Sequence, residues 1–282
     1  MNSLAPITPK LAQISEQIEW LPGSLRLMEP HQIAGQQPDN LCGPYWVSIL
    51  LKAYGVSDID PARLGQLAGS VLPIGDDPQQ WVPPGASSRQ DYAIALPTCP
   101  PALGGTSALG LMEATLKASS GGYALIPLQT TWTAPQVETL LRLCHSFSHW
   151  EAVPLANVRT GSFWGSRLSL KDAIAHLEGN PIQPSPADWS VGHFVTLAGI
   201  VKGTTRSLVI VRDTYPILGW DGYHLQPPEA IAASLNRDDG TEGGIFLFVA
   251  THHQPDVEQQ CRQQGWAIEP WDNGTPYRKK EE

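Results

Sequence analysis

Several features of membrane and nucleic-acid-binding proteins are missing from this sequence of 282 residues. No hydrophobic run approaches the roughly 20 residues that cross a bilayer, and the N-terminal MNSLAPITPK lacks the basic and apolar regions of a signal peptide. Basic residues number 18 against 27 acidic ones, for a formal charge of −9, whereas phosphate binding needs a basic surface. We therefore expect a cytoplasmic protein that neither inserts into a membrane nor binds nucleic acid.

Cysteine is also scarce, and its spacing excludes the common structural uses of thiols. The chain has four cysteines, at positions Cys42, Cys99, Cys144 and Cys261. None belongs to a CxxC pair, so neither a disulfide framework nor a zinc site is indicated. His145 and His149 follow Cys144 at loosely ligand-like spacing, but zinc needs three or four well-placed ligands and no further pair is evident. The sequence predicts free thiols, no metal and no cofactor.

Apolar periodicity and capping residues predict helices in much of the chain. Leu11, Ile14 and Ile18 recur at helical spacing and predict a helix over residues 8–20. Residues 70–105 are rich in proline and glycine and predict a long surface loop. The other predicted helices follow Cys42, cover 106–118, follow Thr133 and Ser169, cover 227–236, and lie in the polar stretch beyond 254.

Strand-like runs are concentrated in the C-terminal third. HFVTLAGIV at 193–201 and SLVIVRD at 207–213 predict an antiparallel hairpin, and GGIFLFVA at 243–250 adds a third strand. YALIPL at 123–128 and EAVPLANV at 151–158 are further candidates, which their prolines favour at sheet edges. The sequence therefore predicts an α+β fold, in which a helical N-terminal part carrying the Cys42 helix packs on a C-terminal antiparallel β-sheet.

We interpret residues 1–282 as a single domain with four parts. These are an N-terminal helical part at 1–69, a loop-rich helical insertion or subdomain at 70–189, a sheet part at 190–254, and a peripheral helix and tail at 255–282. The insertion is a candidate lid, specificity wall or partner surface.

Cys42 occupies an unusual place for a structural cysteine. It follows the polar turn QQPDN and precedes an apolar helix; Asp39 or Asn40 can end the turn, and Pro44 can start the helix. Backbone amides at a helix N-terminus favour the thiolate, which is the nucleophilic form. Gly43 would let a substrate backbone come close to the sulfur. Position alone does not separate a reactive thiol from a small core residue.

His193 and Asp213 supply the partners that a nucleophilic thiol needs. His193 opens a buried-type strand directly after a glycine. If the hairpin turn centres on Gly203, His193 pairs directly with Asp213, and their Cβ atoms lie about 5 Å apart on one face. A carboxylate in that place orients the imidazole, as the third member of a catalytic triad does. Each residue alone also suits a structural role, as a core histidine or as a turn former.

These residues resemble the papain-like cysteine peptidases, and most closely the bacteriocin-leader (double-glycine) branch. The likeness lies in Gln-x5-Cys-Gly before an apolar helix, then in Gly-His-Phe-Val-x-Leu-x-Gly-Ile, and then in Val-x-Val-x-Asp. It covers about residues 31–55 and 190–250, and the helix at 227–236 and the strand at 243–250 fall where that branch has its closing elements. The resemblance implies a papain-like fold.

The resemblance also implies roles for individual residues. Cys42 is expected as the nucleophile, His193 as the general base and acid, and Asp213 as the carboxylate that orients the imidazole. Gln36 is expected to help form the oxyanion hole, and the side chain of Gln37 is an alternative. Three further residues are expected to contact substrate, namely Gly43, Gly192 and Trp46.

The expected activity is hydrolysis of a peptide or isopeptide bond, with a peptide or protein as the substrate. Two alternatives remain open at this stage. Phytochelatin synthase-like enzymes use the same order of triad residues but transfer the acyl group to an amine, and a degenerate member would only bind a peptide. Residues 56–192, which separate the matching segments, exceed what a minimal leader peptidase has, and no GxxxxGK[ST] loop of an ATP-binding transporter is present. The oligomeric state stays open.

Overall fold

The computed structural model describes residues 17–75 and 77–277, which form a mixed α+β structure. Their α-helices are α1 (Pro22–Leu25), α2 (Met28–Ala34), α3 (Cys42–Ala53), α4 (Pro61–Ala68), α5 (Ala108–Ala118), α6 (Ala134–Ser146), α7 (Leu170–Leu177), α8 (Pro228–Asn236) and α9 (Gln254–Gln263). Their strands are β1 (Ile18–Trp20), β2 (Leu72–Pro73), β3 (Thr98–Cys99), β4 (Tyr123–Leu128), β5 (Val153–Arg159), β6 (Gly192–Lys202), β7 (Ser207–Arg212), β8 (Tyr223–Gln226) and β9 (Gly244–Ala250). Within this described part, no helix combines the length and apolarity needed to cross a membrane.

The larger sheet is antiparallel throughout its described pairings. Its strand order is β4-β9-β5-β6-β7-β8, and β1 pairs with β6 outside this path. β5 pairs with β6 over residues 192–196, and β1 pairs with it over 199–201. β5 and β1 therefore pair with successive stretches of the long strand β6. A second, small sheet holds β2 and β3 in parallel within the loop-rich segment.

Helices cover both faces of this sheet. On one face, α3, α4 and α5 form an apolar cluster with strand residues that include Phe194 and Phe246. On the other face, α6, α8 and α9 pack against Val195, Val211 and Leu247. Because neighbouring residues of a strand point to opposite faces, a strand buried on both faces consists mostly of apolar residues, as β6 does.

Most predicted elements of the C-terminal third are confirmed, whereas the predicted helix over 8–20 is not. Residues 8–16 lie outside the described residues, and residues 18–20 form β1, which pairs with residues 199–201 of β6. Leu11, Ile14 and Ile18 gave that stretch its helical period, and Leu11 and Ile14 lie outside the described residues. For Ile18, pairing with a long strand prevails over local periodicity.

The segment at 70–189, predicted as an insertion or subdomain, contributes two strands to the main sheet. β4 lies at the sheet edge, as its proline indicated, but β5 lies between β9 and β6. The prediction of an edge position is therefore wrong for β5. Pro154 lies before Leu155, the first β5 residue that pairs with β6, and near the start of a strand proline is tolerated.

The N-terminus of α3 is held against the start of β6. The indole Nε1 of Trp46 donates a hydrogen bond to the backbone oxygen of Phe194 at 3.0 Å. Gly43 allows the close approach, since a Cβ atom there would lie 3.1 Å from Leu111 Cδ2 and 3.2 Å from Phe194 Cδ2. This contact places Cys42, the first residue of α3, beside the strand that carries His193.

We expect Trp46→Phe to lower the free energy of unfolding by about 1–3 kcal/mol, because the buried Phe194 carbonyl loses its indole donor and the smaller ring leaves a void. Urea denaturation measures the change. Trp220→Phe is the matched control, since Trp220 is 52% exposed and should change stability by less than about 0.5 kcal/mol. Equal effects of the two substitutions would contradict this account of the α3–β6 contact.

Candidate active site

A cleft of about 450 Å³ lies where the N-terminus of α3 meets the ends of β5 and β6. Cys42 and His193 both line it. Of the four thiols, that of Cys42 is half-buried and the other three are buried. The cleft thus contains the accessible cysteine and an imidazole.

Cys42 is the first residue of α3, whereas the sequence placed it directly before the helix, and the residues around it also act differently from the prediction. The residue before the helix is Leu41, and no side chain caps the first turn. The carboxylate of Asp39 instead accepts hydrogen bonds from Ser88 Oγ at 2.5 Å and from the Arg89 backbone at 3.0 Å. It ties the loop at 70–105 to the Cys42 turn and leaves the first amides of α3 uncapped by side chains. Pro44 is the third helical residue, not the first.

His193 and Asp213 form a buried pair. His193 Nε2 lies 3.1 Å from Asp213 Oδ1, and the two side chains are 2% and 1% exposed. The same carboxylate oxygen accepts the Tyr215 backbone N–H at 3.1 Å. Since Nε2 faces the carboxylate, Nδ1 is the ring nitrogen that remains for Cys42.

The predicted contact between these residues is present, but the predicted hairpin register is wrong. The turn covers residues 203–206, and Lys202 pairs with Ser207. Continued to the end of the hairpin, that register would place His193 and Asp213 on opposite faces. A β-bulge between Leu197 and Gly199 shifts the pairing by one residue, so that Thr196 pairs with Arg212. The shift returns His193 and Asp213 to one face, as diagonal neighbours.

Mutual attraction between His193 and Asp213 outweighs the cost of burying them. Burial alone would lower the pKa of His193, but the charge and hydrogen bond of Asp213 raise it above its usual value, and Cys42 contributes in the same direction. Burial alone would raise the pKa of Asp213, but His193, assisted by His224, holds it well below its usual range. The pair is therefore an imidazolium and a carboxylate at neutral pH.

His224 is a site residue that the sequence analysis missed. Its Nε2 lies 3.9 Å from Asp213 Oδ2, and the Nε2 of Gln226 lies 3.1 Å from its Nδ1. An amide nitrogen can only donate, so Nδ1 accepts and Nε2 carries the proton that faces Asp213. No sequence signal pointed to it, because in Tyr-His-Leu-Gln the alternation would place the polar residues outside, whereas the structure buries His224 and Gln226.

The structure favours Gln37 over Gln36 as the cleft glutamine. Gln36 points away, and its Nε2 donates to Ser87 O at 2.7 Å in an exposed contact. Gln37 lines the cleft with Cys42 and is only 2% exposed. Its backbone N–H is bonded to Thr214 O, next to Asp213. Gln36 therefore does not face the cleft, whereas the alternative glutamine, Gln37, does.

Of the three residues expected to contact substrate, the structure places one in the cleft. Gly192 lines it. Gly43 is buried against Leu111 and Phe194, and Trp46 is fully buried in the core. Both of these residues position α3 and do not face the cleft.

Segments distant in sequence form the cleft walls. Trp81 and residues 101, 102, 104 and 105 of the long loop line the cleft, as do residues 273–275 of the tail. The tail had been expected to be peripheral, yet Asn273 Nδ2 donates to Thr106 O at 2.9 Å. Trp189 also lines the cleft, with its ring centroid 5.2 Å from that of His193.

The ligand-like stretch after α6 does not converge on a point. Cys144 is buried in the main core, whereas His145 and His149 are exposed. Among the residues that the structure describes, no group of three or more His, Cys, Asp or Glu side chains is arranged to hold a metal ion.

The His193–Asp213 pair should give stability a defined pH dependence. The raised pKa of His193 contributes stability that is complete below about pH 6.5 and is lost as pH rises towards the folded-state value. The lowered pKa of Asp213 contributes above about pH 4 and is lost in acid. We therefore expect Asp213→Asn to cost at least about 1 kcal/mol more at pH 6 than at pH 9.

Urea denaturation of both chains at the two pH values measures this difference. The exposed Thr204→Ala variant is the control, and its cost should be the same at both pH values because it removes no titratable group. A cost for Asp213→Asn that stays constant or grows from pH 6 to pH 9 would contradict the ionised pair.

Comparison with known proteins identifies a family whose function is unknown. No curated protein matches the chain. The model of the family described as "Family of unknown function (DUF6885)" matches residues 21–272, a range that includes Cys42, His193 and Asp213. Because this match spans most of the 282 residues, the chain belongs to the DUF6885 family.

Proposed function

We propose that this protein is a papain-like cysteine peptidase that hydrolyses a peptide or isopeptide bond. One observation carries the proposal: the half-buried Cys42 thiol shares a cleft with His193, whose imidazole is paired with the buried carboxylate of Asp213. A nucleophile, a base and a group that orients the base are the parts that covalent acyl-transfer catalysis needs. The α+β arrangement, with the cysteine helix packed on an antiparallel sheet, agrees with the papain-like fold that the motifs imply.

In the proposed first step, the Cys42 thiolate attacks the substrate carbonyl and forms the C–S bond. The tetrahedral oxyanion is stabilised by the Cys42 backbone N–H and by the side-chain amide of Gln37. His193 then donates its proton to the leaving nitrogen as the C–N bond breaks. The products of this step are an amine and a thioester on Cys42.

In the second step, neutral His193 takes a proton from water, and the resulting hydroxide equivalent attacks the thioester. The C–S bond breaks, the acid product leaves, and the thiolate–imidazolium pair is restored. Asp213 remains ionised throughout and holds the imidazole by its bond to Nε2. An amine in place of water would give acyl transfer on the same residues.

Cys42 should be the most reactive of the four thiols. Burial raises the pKa of the Cys144 thiol and raises that of Cys261 to about 12, and both side chains are inaccessible. We expect iodoacetamide at pH 6 to label Cys42 first, and His193→Ala and Asp213→Asn each to slow that labelling about tenfold or more. Mass spectrometry of the digested protein measures the site-specific rates.

His145→Ala is the control for removal of an exposed imidazole, and it should leave the rate unchanged. Hydrolysis of a synthetic peptide mixture, compared with the Cys42→Ala chain, then separates a peptidase from a chain that only binds peptides. Labelling of Cys42 no faster than Cys144 or Cys261 would contradict the proposal. Amide products formed with added amines would indicate acyl transfer.

The two glutamines provide a paired test of the oxyanion site. Gln37→Ala should lower the rate of peptide hydrolysis by about 10²- to 10³-fold, because it removes a donor to the transition-state oxygen. It should change the iodoacetamide rate of Cys42 by less than about threefold, since alkylation forms no oxyanion. Gln36→Ala is the matched control and should retain hydrolysis. A larger loss in Gln36→Ala than in Gln37→Ala would contradict the assignment.

A further inference from the structure

The cleft has a basic corner at the end of β5. Arg159 is the last residue of β5, and Arg237 directly follows α8. Both guanidinium groups approach Asp239, and all three residues line the cleft. Asp239 is the only acidic residue among the described residues that line it. With two arginines and one aspartate, the corner carries a net positive charge, although the formal charge of the whole chain is −9.

Arg237 is occupied by its protein partners. Its side chain is 5% exposed and binds Asp239 through two bonds, Nε to Oδ1 at 3.1 Å and Nη2 to Oδ2 at 2.6 Å. Its Nη1 reaches Asn157 Oδ1 at 3.5 Å. The hydrogen bond from Arg237 holds the pKa of Asp239 well below its usual range, so the two form a permanent ion pair. Arg237 is therefore a structural residue of the cleft wall, with its donors used by protein partners.

Arg159 is not occupied in this way. Its side chain is 30% exposed, and its Nη1 lies 3.5 Å from Asp239 Oδ2, an oxygen already bound by Arg237. Within the described part of the chain, Asp239 is the one acidic side chain within 4 Å of its guanidinium. Most of its N–H donors are therefore available to the cleft, and a planar guanidinium matches a carboxylate through two parallel hydrogen bonds.

The strand register places Arg159 next to His193 at the shared ends of β5 and β6, with the two side chains leaving opposite faces of the sheet. Arg159 pairs with Gly192, and Val158 pairs with His193. The absence of a side chain at Gly192 keeps the corner open, since a Cβ atom there would lie 3.2 Å from Arg237 Nη2. In the proposed reaction His193 protonates the leaving amine, and Arg159 lines the same cleft, so that half of the substrate passes the end of the sheet where Arg159 lies.

We propose that Arg159 is a specificity residue that binds a carboxylate carried by the amine half of the substrate. This inference rests on the proposed peptidase function, because it uses the direction in which His193 delivers its proton. The carboxylate is either the α-carboxylate of the leaving residue or an acidic side chain on it. Arg159 binds substrate and takes no part in the proton transfers.

Two alkylating reagents that differ in charge test the proposal without knowledge of the natural substrate. Iodoacetate carries a carboxylate, and iodoacetamide is its neutral counterpart. The ratio of their rates at Cys42 reports attraction of an anion into the cleft, including the part due to the His193 imidazolium. We expect Arg159→Gln to lower this ratio at least about threefold at low salt, and added salt to reduce the difference.

Arg159→Lys keeps the charge and should retain most of the ratio. Arg206→Gln is the matched control, because Arg206 is an exposed arginine outside this cleft, and it should leave the ratio unchanged. A ratio equal in the wild type and Arg159→Gln would overturn the proposal. That outcome is distinct from failure of the peptidase function, which would appear as slow iodoacetamide labelling of Cys42 in the wild type.

Small amines that resemble the leaving half then identify the source of the carboxylate. Slower iodoacetamide labelling with alanine assigns an α-carboxylate, and slower labelling with glutamic acid α-amide assigns a side-chain carboxylate. Either protection should be lost in Arg159→Gln. Protection by alaninamide equal to that by both acids would contradict recognition of a carboxylate.

Discussion

The site depends on one buried carboxylate. Asp213 is almost fully excluded from water, and an unpaired charge in such a place costs several kcal/mol. His193, the Tyr215 amide and His224 all face its oxygens. Their number is what keeps Asp213 ionised, and the ionised form in turn keeps the His193 imidazole charged and oriented. The chemistry proposed at Cys42 therefore depends on the hydrogen bonds and charges that stabilise this buried carboxylate.

One extra residue in β6 makes this pairing possible. With the turn at 203–206 alone, the side chains of His193 and Asp213 would point to opposite faces of the sheet. The bulge near Ala198 shifts the register by one residue and brings them to the same face. The carbonyl of Ala198 accepts the Leu21 N–H at 2.9 Å, so the bulged backbone has a partner outside the hairpin. The sequence alone predicted the contact through a wrong register that happened to have the right parity. Bulges leave little signal in a run of apolar residues, and this one could not be placed from the sequence.

The elements themselves were easier to predict than the directions of their side chains. Caps and periodicity correctly located α3, α6, α7 and α8, and apolar runs located β4 to β7 and β9. Motif spacing selected Gln36, but which glutamine faces the cleft depends on the Ser87 and Thr214 contacts made after folding. Trp46 was misjudged for a related reason. An aromatic side chain one turn beyond the cysteine suits a substrate groove and a core equally well until the helix is packed.

Chain topology explains why the walls of the cleft escaped prediction. The loop at 70–105, the end of β5 and the tail meet only after the sheet has formed, and polar residues at each place look like ordinary surface when considered alone. Asp239 illustrates the consequence. It occupies Arg237 and also draws Arg159 towards the cleft, where one carboxylate cannot satisfy two guanidinium groups. An acidic chain thereby acquires a locally basic corner beside His193, and the overall charge of −9 is a poor guide to what the cleft attracts.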